Sequence, residues 1–284
     1  MNWRPSTLLA VAAVSCGFLI AYWHVLTQLV SDWANDDNYS HGFFIVPLAL
    51  FFVWERRQRL ADTPLQPSTL GLLVVAGSLA LLVAGTLGAE LFLTRVAIVG
   101  LISGVTLFVA GWQHLRILSF PIAFLLLMIP LPAILFNEVA FPLQLLASQF
   151  GETALRLFRI PVLREGNVIT LANTSLEVAE ACSGIRSLVS LLTLGIVLGY
   201  FTDSRTWTRT VIALATVPVA IAANGLRVAG TGIAAAYVGP EAATGFLHTF
   251  SGWLMFVLAF VLLLAIQQAI FRVFPEPAVV REAR

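Results

Sequence analysis

The sequence is dominated by apolar stretches of about 20 residues, the length that an α-helix needs to cross the hydrocarbon core of a bilayer. Eight stretches are expected to span, with approximate bounds 6–29, 41–54, 69–88, 93–112, 115–131, 184–201, 208–238 and 247–272. Only 11% of the 284 residues are charged, whereas about a quarter are charged in soluble proteins. We therefore predict an all-α polytopic membrane protein of about eight transmembrane helices, with residues 1–284 forming a single membrane domain.

The arginines beside these stretches predict how the chain is oriented, because Lys and Arg accumulate in short cytoplasmic loops. With eight spans, one side of the membrane receives Arg4, Arg56, Arg57, Arg59, Arg116, Arg205, Arg209, Arg272, Arg281 and Arg284. That side is expected to be the cytoplasm and to hold both termini. The formal net charge is only +1, so no overall field attracts nucleic acid, and none is expected as a partner.

The long segment 132–183 is predicted to be external, and its pattern is not typical of membrane helices alone. Its first part, 137–158, is apolar with polar interruptions, as in an interfacial helix. Residues 168–179 then predict a small external hairpin with its turn at 172–174. This hairpin would deliver residues 180–184, Glu-Ala-Cys-Ser-Gly, to the outer mouth of the sixth span.

Cys182 lies where the strand-like segment gives way to a helix. The positive end of that helix favours the thiolate, which is the reactive form of cysteine. Arg186, four residues later, falls on the same helix face and adds to this effect. The alternative is an ordinary small packing residue. The other cysteine, Cys16, sits within an apolar run, so a disulfide framework is not expected.

Arg227 and His248 are the polar residues of interest in the last two spans. A guanidinium within an apolar helix is costly and is usually functional or paired. Arg227 therefore either acts on a substrate, or it snorkels toward the interface or is locked to a carboxylate such as Glu180. Asn224 shares its face, and Gly225 would let another backbone or a substrate approach. His248 opens the eighth span and is either a general acid or base or a polar interfacial anchor.

The predicted topology places Cys182, Arg227 and His248 toward the external face of the membrane. A thiolate, a proton carrier and a fixed cation able to hold an oxyanion are the groups that acyl transfer through a thioester requires. The sequence therefore predicts that these three side chains converge.

His41 occupies a similar depth at the outer start of the second span, where it would either bind substrate or order the loop. Asp36 and Asp37 lie close to it in sequence, but adjacent aspartates project in different directions and no further ligand motif is present. Neither a metal nor a cofactor is expected.

Three motifs resemble the exosortases and, more distantly, the archaeosortases. They are Glu-Ala-Cys-Ser-Gly-Ile-Arg at 180–186, Asn-Gly-Leu-Arg-Val at 224–228 and His248. Tyr-Ser-His-Gly-Phe at 39–43 agrees as well, and the resemblance covers nearly the whole chain. It implies a cysteine peptidase or transpeptidase of the bacterial inner membrane. The implied partners are membrane-anchored exported proteins with a C-terminal sorting signal, made of a Pro-Glu-Pro motif, a transmembrane helix and a basic tail.

The resemblance also implies roles for individual residues. Cys182 would be the nucleophile, Arg227 would stabilise the oxyanion or orient the thiolate, and His248 would move protons. The supporting or substrate-binding residues would be His41, Glu180, Arg186 and Asn224.

Two functions of other classes compete with this hypothesis. In a transporter or channel, Arg227 would bind an anionic substrate at the midplane, and Pro218 and Gly225 would mark a broken helix within the long seventh span. In a non-enzymatic assembly factor for surface polymers, Cys182, Arg227 and His248 would be dispensable.

Overall fold

A computed structural model of the chain describes residues 5–172, 174–178, 185–203, 205–239 and 245–275, with the backbone alone at 5–15 and 245–249. The helices in this part of the chain are α1 (Pro5–Asn35), α2 (Gly42–Glu55), α3 (Arg57–Asp62), α4 (Leu70–Leu87), α5 (Leu91–Val109), α6 (Trp112–Phe124), a 3₁₀ helix (Leu125–Met128), α7 (Ala133–Leu157), α8 (Ile185–Thr202), α9 (Thr206–Tyr237) and α10 (Gly245–Val273). The strands are β1 (Val162–Glu165), β2 (Val168–Leu171) and β3 (Ser175–Glu177).

Five of the described helices are long and apolar enough to cross a membrane, namely α4, α5, α8, α9 and the part of α10 from Phe250 to Val273. A sixth is added if the bent helical pair Trp112–Met128 and Ala133–Leu157 counts as one span. The chain is thus a polytopic, mainly helical membrane protein. The expected number of eight is not reached among the described residues. One reason is that α2 has only 14 residues, or about 21 Å, against a hydrocarbon core of about 30 Å.

The chain falls into two compact units, Met1–Pro132 and Ala133–Arg284. The single membrane domain 1–284 stays a prediction. In the first unit, α4 and α5 approach closely at glycines. A Cβ on Gly104 of α5 would lie 2.8 Å from the backbone nitrogen of Val75 in α4, so the two helices pack nearly backbone to backbone.

A buried arginine that the sequence analysis overlooked joins α5 to the end of α1. Arg95 is only 2% exposed, and its Nη2 lies 2.6 Å from Oδ2 of Asp32. A guanidinium in such surroundings is costly unless an anion compensates it, and Asp32 supplies that anion. The signal that could have predicted this pair was an arginine within an apolar stretch together with the aspartates between the first and second predicted spans.

In the second unit, glycines let α7 pack closely against α9. A Cβ on Gly225 would lie 2.7 Å from the ring carbon Cγ of Phe150, and a Cβ on Gly151 would lie 2.7 Å from Val228. The sequence predicted that another backbone or a substrate approaches Gly225, whereas the neighbour in the structure is the side chain of Phe150 in α7. A larger side chain at Gly225 would force the two helices apart.

The long helix α9 runs without a break through Pro218 and Asn224-Gly225. The break that the sequence suggested at these positions is therefore wrong. Its 32 residues give a length of about 48 Å, more than a bilayer core requires. The transporter hypothesis needed a broken helix beside Arg227, and the structure lacks that feature.

The sheet in the second unit is antiparallel in the order β1-β2-β3. β2 pairs with β3 at the positions for which the sequence predicted a hairpin, while β1 was not predicted. One face of the sheet carries Ile169, Leu171 and Val178, which cluster with Leu155 of α7 and Val228 of α9. This apolar face anchors the sheet on the two helices.

Between α8 and α9, a buried carboxylate organises the connecting turn. Asp203 is fully buried, and its side chain accepts hydrogen bonds from Arg205 Nη2 at 2.7 Å and from the Arg205 backbone N–H at 2.7 Å. Its backbone oxygen accepts a further bond from Arg209 Nε at 2.6 Å. Burial raises the pKa of Asp203, but the hydrogen bonds and charge of Arg205 outweigh it and hold the pKa below its ordinary value of 3.8.

Replacing Asp203 by asparagine is expected to lower the apparent unfolding temperature of the purified protein near neutral pH by roughly 3–6 °C. Because the folded state lowers the pKa of this carboxyl, its stabilisation is present above pH 3.8 and is lost as the pH falls through the folded-state pKa. The gap between the wild type and Asp203→Asn should therefore close in acid. Glu138→Gln, which alters an exposed carboxylate of α7, is the matched control in the same thermal unfolding series.

Candidate active site

A small cavity lies where α8, α9 and α10 meet. Its volume is about 10 Å³, close to the minimum of roughly 10–15 Å³ that holds one water molecule. The residues that line it are Ser187, Leu191, Ala220, Ala223, Asn224, Arg227, Gly252, Met255, Phe256 and Ala259. The lining is therefore mostly apolar, and its polar residues are Ser187, Asn224 and Arg227.

Arg227 is held against the backbone of α10. Its Nε donates a hydrogen bond of 3.4 Å to Oγ of Ser251. A Cβ on the next residue, Gly252, would lie only 3.2 Å from the guanidinium carbon Cζ, so the absence of a side chain makes room for the planar cation. A half-buried positive charge thus lies between α9 and α10, with a long hydrogen bond to Ser251.

Asn224 lies one helical turn before Arg227 on the same face of α9, as the sequence predicted. Its side chain is buried, with 6% exposure, and it lines the same cavity. The structure therefore brings these two predicted site residues together.

Cys182 and Glu180 lie outside the described residues, and so does the side chain of His248. α8 begins at Ile185, three residues after Cys182, and Ser187 lines the cavity. His248 belongs to α10, three residues or about 4.5 Å along the helix axis before Ser251. The convergence of Cys182, Arg227 and His248 stays a prediction.

Arg186 occupies the second position of α8, next to Ser187. Its side chain is half-buried. The role implied for it, support of the Cys182 thiolate from the same helix face, stays a prediction.

His41 lies in the other compact unit, Met1–Pro132. Its Nε2 is 3.1 Å from the backbone oxygen of Leu127, and Nε1 of Trp33 donates to the next oxygen, that of Met128, at 2.9 Å. Both oxygens belong to the 3₁₀ helix, so two side chains bind carbonyl groups at its end. This contact is one that ordering of the loop would make, and the choice between the two roles of His41 stays a prediction.

Ser187, Ser251 and Gly252 were not predicted from the sequence. The signal for the last two was their spacing, because they follow His248 by three and four residues and so share its face of α10. Small residues one turn from a polar candidate suggest that another side chain packs there. Here that side chain is Arg227.

A comparison with known families decides the classification. Residues 33–265, well over half of the chain, match the family model described as transmembrane exosortase. The chain belongs to the transmembrane exosortase family. The matched range contains every residue proposed for this exosortase's site, from His41 to His248. No curated protein and no solved structure gives a significant match.

Membership of the exosortase family, together with the apolar helices, establishes a multi-pass membrane protein. It is consistent with a sortase-like protease or transpeptidase role in general terms. The resemblance drawn from the cysteine, arginine and histidine motifs is thereby confirmed at the level of the family.

Proposed function

We propose that this exosortase is a cysteine peptidase or transpeptidase that cleaves the C-terminal Pro-Glu-Pro sorting signal of exported proteins. The observation that carries the proposal is the fixed guanidinium of Arg227 in the cavity between α8, α9 and α10. α8 follows Cys182 and α10 carries His248, so the helices that meet at this cavity are those that bear or adjoin the three candidate residues.

In the proposed reaction, the thiolate of Cys182 attacks the carbonyl carbon of the scissile peptide bond. The carbonyl π electrons move to oxygen, and Arg227 stabilises the resulting oxyanion. When the oxyanion collapses, the C–N bond breaks, His248 gives a proton to the leaving amine, and a thioester to Cys182 remains. Water or an amine then attacks the thioester, His248 takes up its proton, and the thiolate is released.

The support for Arg227 in this role is its preorganisation. The bond to Ser251 and the close contact with Gly252 hold the guanidinium before any substrate arrives. A donor that is already in place costs no reorganisation when negative charge develops, and a mostly apolar cavity strengthens the electrostatic interaction. Asn224 is positioned to assist as a neutral donor on the same face.

The proposed setting is the bacterial inner membrane, with both termini in the cytoplasm and the site toward the periplasm. The substrate is itself anchored by an apolar helix, so it would approach laterally through the bilayer. The basic side chains beside the spans support this orientation through their bias to one side.

Mass spectrometry of the protein co-expressed with a sorting-signal reporter tests the proposal. The expected species is the reporter joined through a thioester to the Cys182 peptide. The released carboxyl should carry either the oxygen of water, for a protease, or an added amine, for a transpeptidase. Cleavage accompanied by an acyl adduct on another residue would contradict the assignment.

A further inference from the structure

The strand β3 lies at one edge of the three-stranded sheet and is the last described strand before Cys182 in the chain. Two backbone hydrogen bonds define how β3 pairs with its neighbour. Leu171 N–H donates to Thr174 O at 2.8 Å, and Val178 N–H donates to Asn167 O at 2.9 Å. In an antiparallel ladder such hydrogen-bonded pairs recur at every second residue. The intervening bonded pair is therefore Ile169 with Leu176, in agreement with the register.

This alternation determines which backbone groups of β3 face outward. Leu176 directs its N–H and C=O toward β2, so Ser175 and Glu177 direct theirs away from the sheet. Within the part of the chain that the structure describes, no hydrogen bond reaches these outward groups. The side chains of Ser175 and Glu177 are exposed as well. The outer edge of β3 thus offers two N–H groups and two C=O groups at the protein surface.

The C-terminal end of β3 is fixed. Val178 is 2% exposed within the core between the sheet, α7 and α9. Its backbone N–H and C=O are both bound to Asn167, since Val178 N–H donates to Asn167 O at 2.9 Å and Asn167 Nδ2 donates to Val178 O at 3.2 Å. The chain therefore leaves for Cys182, four residues further on, from an anchored point.

We propose that the outer edge of β3 binds the substrate polypeptide as an added β-strand, an inference that rests on the proposed peptidase function. The occupant is the extended segment of the exported protein that precedes its signal helix. Main-chain hydrogen bonds to Ser175 and Glu177 hold it in extended form, the mode by which open sheet edges capture peptides. Cys182 follows the end of β3 by five residues in the chain, so a strand bound at this edge is held on the described element that precedes the nucleophile in sequence.

In a Pro-Glu-Pro motif, residues without an N–H alternate with a residue that has one. This pattern suits binding as an added β-strand. Proline has no N–H, and prolines in sheets are confined to places where that position faces away from the ladder. Two prolines separated by one residue direct their backbone nitrogens toward the same edge of a strand. With both directed outward, the central glutamate turns its N–H and C=O toward β3.

An N-methyl scan of a synthetic peptide tests the proposal. The peptide spans the Pro-Glu-Pro motif and the residues up to the signal helix, and its affinity is measured for detergent-solubilised Cys182→Ala protein, which leaves it uncut. Methylation of amides that face β3 should weaken binding about fivefold to tenfold, the effect of one lost hydrogen bond. Methylation of the alternate amides should have little effect, so the scan should show a period of two residues.

Protein variants provide a second test of the proposed strand addition. Glu177→Pro removes one outward N–H at a position preceded by an extended residue, which proline tolerates. It should weaken peptide binding about fivefold, and Glu177→Ala, which keeps the N–H, should bind more tightly than Glu177→Pro. Val162→Pro removes an outward N–H on the opposite edge, in β1, and controls for damage to the sheet.

The outcomes separate this inference from the function on which it rests. A scan without periodicity, combined with equal binding by Glu177→Pro and Val162→Pro, would overturn strand addition while leaving a Cys182-dependent peptidase intact. Cleavage of the peptide by Cys182→Ala protein would instead refute the peptidase mechanism, and the affinities of the methylated peptides would still report how the polypeptide binds.

Discussion

Purified protein carrying Cys182→Ala is expected to cleave a sorting-signal reporter at least about a thousandfold more slowly than the wild type, because covalent catalysis is lost without its nucleophile. The measurement is the initial rate of release of the reporter's soluble part in detergent or reconstituted bilayers. Cys182→Ser should also be nearly inactive, since a hydroxyl at this position is a much weaker nucleophile than a thiolate.

Cys16 provides the matched control for this experiment. It is an exposed free cysteine in α1, and Cys16→Ala should cleave the reporter at the wild-type rate. Alkylation of thiols should inactivate the Cys16→Ala protein as fully as the wild type. Unchanged cleavage by Cys182→Ala would exclude the thioester mechanism whatever the family assignment.

The second large effect is expected at Arg227. Arg227→Ala should lower kcat by about 10²–10³-fold, the range for loss of one oxyanion donor, with a smaller change in KM. Arg227→Lys should recover only part of this rate, because an ammonium group keeps the charge but lacks the planar donors that reach Ser251. The check is steady-state kinetics on the same reporter.

Two glycine variants separate positioning of the guanidinium from general damage to the fold. In Gly252→Ala the new methyl group would lie 3.2 Å from Cζ of Arg227, so the cation must shift and kcat should fall. In Gly230→Ala on α9 the new methyl group meets nothing within 4 Å, and alanine favours the helix. Equal activity of the two variants, together with an active Arg227→Ala protein, would show that Arg227 is structural.

Several elements of the fold were predictable because they depend on local composition. The predicted spans 184–201 and 69–88 correspond to α8 and α4 within one residue at each end, since a run of apolar residues that ends at polar ones specifies a membrane helix by itself. The pairing of β2 with β3 followed from a short apolar alternation around a turn. The predicted span 41–54 also corresponds to α2 within one residue at each end, but its 14 residues are fewer than a bilayer core requires.

The candidate site was predictable in part for the same reason. Arg227 and Asn224 could be picked out because polar groups in an apolar helix are costly and seldom accidental, and their shared face follows from helical periodicity. Ser187, Ser251 and Gly252 are small and unremarkable in composition. Their relevance depends on which helix packs beside Arg227, and no local pattern contains that information.

By itself, the sequence determined the class of protein, the positions of most spanning helices and the family, because hydropathy and short motifs are properties of contiguous residues. Only the tertiary structure decided the pairing of Arg95 with Asp32, the bond of His41 to Leu127 and the packing of Phe150 on Gly225. Each of these contacts joins residues that lie more than 60 positions apart in the chain. Such contacts form when helices pack and their buried polar groups find hydrogen-bond partners. Which partners are available depends on the assembled fold.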